Sequence, residues 1–447
     1  MGGISKRTPV EALFAARRPL LAALLLSGLV FLAAPPARPI ARGHGSGSTL
    51  SIHDGPDASG PVDIAGVKLR QHLHTLNVSV RTRGKWGLGK LEAQPPARPH
   101  RDPSVCVFLK GKRSERRVCL PRSTKQGLGV AEIGAGGQPR HTHRIRGQVH
   151  RDGPNKANFA VKLGPLGIGP GKYSVHAATD WKGKPCERPG HPLRGDRCAD
   201  RAPGKGGKRI RIEPVRPVGC VARHPQVINR GGATKKVALS FDDGPSSYTA
   251  RVLSILHRYH VHSTFFEIGQ NVPAYPDGSR AIIAAGSEIG NHSLHHETDP
   301  GSASMRATNA RIEDATGYRP CLFRPPGGAY NSGVVASAAS LGMSTIIWDV
   351  DPRDWSRPGT SAIESRVLSA THGGSIVLMH DGGGDRSQTV AALPKIISTL
   401  QGRGYRLVPV SKLLGYKTRY ALGSARKPRP AWRSNAAAVL PLTGLRR

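Results

Sequence analysis

From residue 236 the chain alternates short apolar runs with helical stretches, and that alternation limits what its second half can fold into. Candidate strands are 237–241, 263–268, 288–291, 321–324, 344–349, 375–379 and 405–410. Helical stretches fall between them, as at Thr249 to Tyr259, Val334 to Leu341 and Thr389 to Leu400. Seven such units in succession predict a parallel sheet, open or closed into a barrel, because parallel neighbours need a crossover and a helix supplies it. Residues 51–215 read differently. Short β-type runs, such as Leu76 to Val80, Val105 to Leu109, Phe159 to Leu163 and Tyr173 to His176, are punctuated by Gly and Pro, with no long 3.6-residue period. They predict an all-β, sandwich-like domain ahead of the α/β one, with a last strand around Arg209 to Ile212. The Gly/Ser-rich residues 42–50 read as a linker. The stretch 416–447, basic and carrying Pro428 and Pro430, reads as a disordered tail.

The first apolar run of the α/β half ends in Ser240-Phe241-Asp242-Asp243-Gly244-Pro245. Two carboxylates at a strand end lie where parallel α/β folds carry their chemistry, although a solvated acidic turn has the same sequence. Four later segments weigh against the turn. His292-Ser293-Leu294-His295-His296 offers imidazoles four apart. Arg324-Pro325-Pro326-Gly327-Gly328, Asp351-Pro352-Arg353-Asp354-Trp355 and Leu378-Met379-His380 follow in that order. An aspartate with two histidines gives one oxygen and two nitrogens, a set that suits zinc with positions left open for water and substrate. On a helix the His292/His296 spacing would put both rings on one face. Here it follows a strand, which leaves that geometry open.

Together the five ordered segments resemble the polysaccharide deacetylase family, the NodB-homology domain of carbohydrate esterase family 4, over about residues 236–415. The resemblance implies an irregular seven- to eight-stranded (β/α) barrel in a catalytic domain drawn at 220–415. It implies a divalent metal, zinc by its donors, on Asp243, His292 and His296, with His296 chosen over His295. Asp242 is then the general base toward metal-bound water, held ionised and oriented by Arg324. His380 is the general acid toward the departing amine, kept protonated by Asp354. Trp355 and Leu378 would wall a pocket for the acetyl methyl, or simply pack. Two departures stand out. The family carries Tyr where this chain has Gly327, which leaves a main-chain N–H for the developing oxyanion but loosens the wall. The stretch from His296 to Arg324 is short for the family, which would trim its helix and open one side of the groove.

The implied function is a secreted, metal-dependent deacetylase of N-acetylated polysaccharide, with peptidoglycan N-acetylglucosamine as first substrate and a chitin-like glucan second. An O-acetyl glycan esterase is the close alternative, since it needs the same metal and base but less from His380. A non-catalytic wall-binding protein would keep the barrel as a scaffold; the intact Asp242, Asp243, His292, His296 and His380 argue against it.

Six cysteines in an exported chain fit three disulfides. Cys106 and Cys119 bracket a hairpin. Cys186 and Cys198 close a Pro/Gly-rich loop, and Cys220 and Cys321 are left to pair. Buried free thiols are the other reading, whereas a zinc cluster lacks any CxxC pair. Export is read from Lys6, Arg7, Arg17 and Arg18 ahead of the apolar run Leu20 to Ala34, within an export segment drawn at 1–41, with retention as an uncleaved anchor the alternative. The net charge of +37 is uneven. Residues 236–415 hold 16 Lys/Arg against 15 Asp/Glu, so the basicity belongs to the flanks. For an exported chain, an anionic wall polymer is the expected partner of the basic β domain. Nucleic acid is not expected, because no recognised motif accompanies the charge.

Overall fold

The computed structural model describes residues 46–58, 61–91, 104–112, 114–134, 139–182, 197–223 and 226–423. Residues 1–41, expected to be an export segment, Cys186 and the residues after 423 lie outside them. Two antiparallel sheets form the first half. One runs in the order Ser46–His53, Ile64–His72, Thr75–Thr82, Lys156–Lys162, Gln148–Arg151. The other runs Arg197–Ala202, Gly171–Lys182, Ser104–Lys110, Glu115–Cys119, Leu128–Ile133, Pro139–Ile145, and Lys208–Ile212 also pairs with Gly171–Lys182. Alternate residues of both sheets enter one core, with Val67, Leu69, Val78 and Val80 against Val105, Val107, Val118, Val130 and Val175. This is the period-2 pattern of strands with one face buried.

Two readings at the edges of this half need correction. The first strand begins at Ser46, inside the stretch taken as a linker. Its later residues face Val67 and Leu69 across an antiparallel ladder, so pairing overrides a Gly/Ser-rich composition. The supposed tail starts with a strand, Lys417–Leu422, paired antiparallel with Val215–Val221. Nothing within Lys417–Leu422 announces a partner about 200 residues earlier, and nothing within Ser46–Leu50 announces its pairing with Leu69 to His72.

The second half is built on a parallel sheet. Its strands are β1 (Lys236–Gly244), β2 (Thr264–Glu267), β3 (Glu288–Asn291), β4 (Leu322–Phe323), β5 (Ser344–Ile346), β6 (Ile376–His380) and β7 (Arg406–Leu407). The helices between and after them are α1 (Thr249–Arg258), α2 (Pro276–Ala284), α3 (Ser302–Thr316), α4 (Ser332–Ser340), α5 (Thr360–Ala370), α6 (Ser387–Gly402) and α7 (Val410–Leu413). Strand order is Val227–Ile228, β5, β4, β3, β2, β1, β6, with β7 also on β1. The two ends meet through isolated bridges, Val350 to Val377 and Arg230 to Ser375, and a few hydrogen bonds beside them. The result is a parallel half-barrel sheet, whose two ends are joined by bridges and not by a continuous ladder. Val237, Leu239, Phe241, Phe265, Ile289, Val377 and Met379 pack under the helices. Helix α3, 15 residues long, fills most of the stretch between His296 and Arg324.

Cys106 and Cys119 are directly opposed in adjacent strands, Cα atoms 4.0 Å apart, and are joined. Cys220 and Cys321 are joined across 101 residues, tying Val215–Val221 to the start of β4. Peptide mapping of non-reduced protein should recover these two pairs, with Cys186 and Cys198 as the third. A crossed pairing between the halves would overturn the arrangement. In the chain-entropy description, closing so long a loop is worth about 4–5 kcal/mol, so losing Cys220–Cys321 should cost far more stability than an ordinary surface change.

Candidate active site

Neighbouring residues of a regular strand point to opposite faces, so Asp242 and Asp243 should not share a site. The end of β1 breaks that rule. Its register with β2 shifts between Asp242 and Gly244, and Asp243 has φ +70°. The bulge turns the second carboxylate round beside the first. His296, with φ +64°, and Ser293, with φ +63°, are also left-handed. Such conformations cost of order 1–3 kcal/mol for residues other than glycine, and here they cluster at one mouth.

Oδ1 of Asp243 lies 3.4 Å from His292 Nε2 and 3.2 Å from His296 Nε2. The three donor atoms fall within 4.8 Å of one another. His292 Nδ1 is 2.8 Å from the Arg324 carbonyl. A carbonyl only accepts, so Nδ1 carries the proton and Nε2 turns a lone pair toward Asp243. Oδ1 itself is buried without a directional hydrogen bond. Convergent lone pairs around an orphaned carboxylate oxygen are what a divalent cation satisfies, so these residues fit the metal the sequence implied. Burial alone would raise the Asp243 carboxyl, but its two imidazole neighbours outweigh that and hold it well below the ordinary range. The Asp243 carboxylate, with Oδ1 3.2 Å from Nε2, raises the His296 ring. His295 turns away: its Nδ1 meets Gln270 Oε1 at 2.9 Å on the surface.

Arg324 is fully buried, not a surface arginine. Its Nη1 donates to Asp242 Oδ1 at 2.7 Å and to Ser240 Oγ at 2.9 Å, and Nε donates to the Ile346 carbonyl at 3.3 Å. The guanidinium stacks 4.1 Å from the Phe266 ring centre. Burial lowers its pKa, and Asp242 opposes that. The pair fixes the Asp242 carboxylate and leaves Oδ2 on the metal side, 3.8 Å from His292 Nε2.

Asp242 is the register partner of His380 on β6. His380 Nδ1 donates to Asp354 Oδ1 at 2.8 Å, and its main-chain N–H donates to Asp354 Oδ2 at 2.9 Å. Thr389 of α6 donates to that same oxygen at 2.7 Å. Burial pushes the His380 ring down, yet the Asp354 hydrogen bond and charge more than compensate and raise it. Leu378 lies two residues before His380, on the same strand face, and is buried below the mouth. Trp355 is 47% exposed with Arg353 over its ring, so it belongs to the rim. Gly327 is exposed, at φ +62°, with open space where a side chain would stand.

Other polar groups here had no reading from sequence. Asp381 is fully buried next to His380. Burial pushes it up to about 7 against a hydrogen bond from Thr249, and Asp243 and Asp242 push the same way. Glu267 is buried at the end of β2. Burial raises it to about 8 although Ser279 donates to it, and Asp381 adds to the rise. Asp381, directly after the His380 motif, could have been suspected; Glu267 sits in an apolar run that reads as core.

The sequence profile of the family described as Polysaccharide deacetylase matches residues 229–346. A peptidoglycan-N-acetylglucosamine deacetylase of Bacillus cereus is 43% identical over 191 residues, 41% of this chain and 90% of the relative. A chitooligosaccharide deacetylase of a Bradyrhizobium species is 38% identical over 202 residues, 40% of this chain and 91% of the relative. Among solved structures, the family 4 carbohydrate esterase of Streptomyces lividans in complex with acetate is 36% identical. That match covers 40% of this chain and 93% of the esterase chain, with a TM-score of 0.37.

Proposed function

The chain belongs to the polysaccharide deacetylase family, and from that premise we propose that it is an exported, metal-dependent hydrolase removing N-acetyl groups from wall polysaccharide. Peptidoglycan N-acetylglucosamine is the first substrate and chitin-like oligosaccharide the second, as the relatives' names suggest. One observation carries the reading. Asp242, Asp243, His292, Arg324, Asp354 and His380 come from the C-terminal ends of separate parallel strands and the loops after them, yet are linked around one mouth.

Asp243, His292 and His296 would hold the metal. A divalent cation there, zinc by its donors, supplies Lewis acidity toward the acetamide carbonyl and an acidified water. The protein's residues do the rest. Asp242, fixed by Arg324, takes the proton of the attacking water through Oδ2. The main-chain N–H of Gly327 is the candidate donor to the developing oxyanion. His380 delivers the Nε2 proton to the nitrogen as the C–N bond breaks, and Asp354 stabilises the imidazolium before that transfer. Acetate and a free amino sugar leave.

The test is acetate release by zinc-loaded protein from a panel of N- and O-acetylated glycans. Release from N-acetylglucosamine polymers is expected. Release from O-acetylated glycans alone would make it an esterase, and no release from any glycan would sink the reading.

The basic flank is assigned to anionic wall polymer. In the strand Pro139–Ile145 and just after it, Arg140, His141, His143, Arg144 and Arg146 are exposed at the edge of the second sheet. Binding of the full chain to a wall polyphosphate should weaken with added salt, since exposed charges are screened beyond about 8 Å at physiological ionic strength. It should weaken further when Arg140, Arg144 and Arg146 become Gln. Equal binding by the variant at low and moderate salt would remove the assignment.

A further inference from the structure

Arg386 has no part in the roles above, yet it is only 4% exposed at the N-terminal end of α6. Its donors go to main chain. Nε donates to the Gly382 carbonyl at 2.6 Å, Nη2 to Gly383 at 2.8 Å and Nη1 to Trp355 at 3.3 Å. Burying a cation has an effective penalty of several kcal/mol, and neutral carbonyls offset it less than a carboxylate would. A residue needed only to fill space would not carry that charge.

The three carbonyls belong to the two segments the chemistry needs. Gly382 and Gly383 follow His380 by two and three residues, and Trp355 follows Asp354 directly. The glycines also touch the metal-ligand side. Gly383 has φ +72°, and a Cβ there would fall on Oδ2 of Asp243; one at Gly382 would fall on the Asp243 carbonyl. The loop is therefore a ledge against Asp243, and Arg386 is the side chain that pins it. From the same α6 terminus, Thr389 holds the Asp354 carboxylate.

We infer that Arg386 is a positioning residue of this site. It acts on Asp243 through the Gly382–Gly383 ledge and on the Asp354–His380 pair through Trp355. The roles it serves rest on the function proposed above. A displacement of about 1 Å in such groups can cost 10²-fold in rate, and loss of supporting groups around metal ligands costs about 10- to 100-fold in affinity.

The test compares Arg386→Met, which keeps length and apolar bulk but no donors, with Arg386→Lys, which keeps the charge and can reach one carbonyl. For Arg386→Met, kcat should fall about 10²-fold with KM within about threefold. Its zinc dissociation constant, measured against a chromophoric chelator without substrate, should rise about tenfold. Arg386→Lys should fall between Met and wild type in both. A Met variant with kcat within about threefold of wild type and unchanged zinc affinity overturns the inference. So does a Lys variant no better than Met, which would mean shape and not donation matters. If Met does not fold by circular dichroism, Lys decides: intermediate values support the role and wild-type values overturn it. Should the wild type release no acetate from any glycan, the deacetylase reading fails by itself, and zinc affinity still judges Arg386.

Discussion

Asp243→Ala protein should retain no metal after dialysis and release no acetate above background, and His292→Ala should behave the same way. Each substitution removes one of only three donors. Asp243 also supplies the negative charge of the set, and its Oδ1 faces both imidazoles at 3.2–3.4 Å. His292 is held by the Arg324 carbonyl at 2.8 Å, which keeps its Nε2 aimed at Asp243. Loss on the order of 10³-fold or more is expected, because Lewis acidity and acidified water disappear together. Metal content by elemental analysis, measured beside acetate release, checks it. A His292→Ala protein with a full metal complement would show that the ligand set is wrong.

Asp242→Asn should separate metal from turnover. The metal stays, since Asp242 is not among the three donors. Turnover falls by about 10²- to 10⁴-fold, the usual contribution of a general base. A second effect follows from burial. Arg324 is fully enclosed and its Nη1 lies 2.7 Å from Asp242 Oδ1. Removing the carboxylate charge leaves a buried guanidinium without its counter-ion, and breaking such pairs costs about 3–5 kcal/mol. The variant should therefore unfold at clearly lower denaturant than wild type while still binding zinc when folded. An Asp242→Asn enzyme that keeps its rate would remove Asp242 as base. One that loses rate but no stability would mean that Arg324 finds its compensation elsewhere.

Much of the fold was legible because it is written locally. Apolar runs of strand length, separated by helical stretches, placed the barrel strands within a few residues of where they lie. The parallel sheet follows from that alternation by the geometry of crossovers. The short runs between Gly and Pro pointed in the same way to the antiparallel sheets of the first half. The chemistry-bearing side chains were legible in kind, since an aspartate pair, spaced histidines, an arginine and a later histidine each stand at a predicted strand end. The sequence also showed how unevenly charge is shared between the halves.

What the sequence could not decide depends on partners distant along the chain. Whether Asp242 and Asp243 cooperate rests on a register shift and a left-handed φ at one residue, which the β1–β2 pairing imposes. Whether Arg324 is buried or solvated depends on Phe266 and Asp242 closing over it from β2 and β1. Ser46 to Leu50 and Lys417 to Leu422 carry linker-like or tail-like composition and become strands only because an edge awaits them. Arg386 gives no local sign of its place beneath the site. The sequence therefore determined which elements form and which reactive groups stand at their ends, because periodicity and strand-end position are properties of neighbouring residues. The tertiary structure decided which of those groups face one another and how each is charged, because burial and pairing are supplied by segments that the chain brings together only when folded.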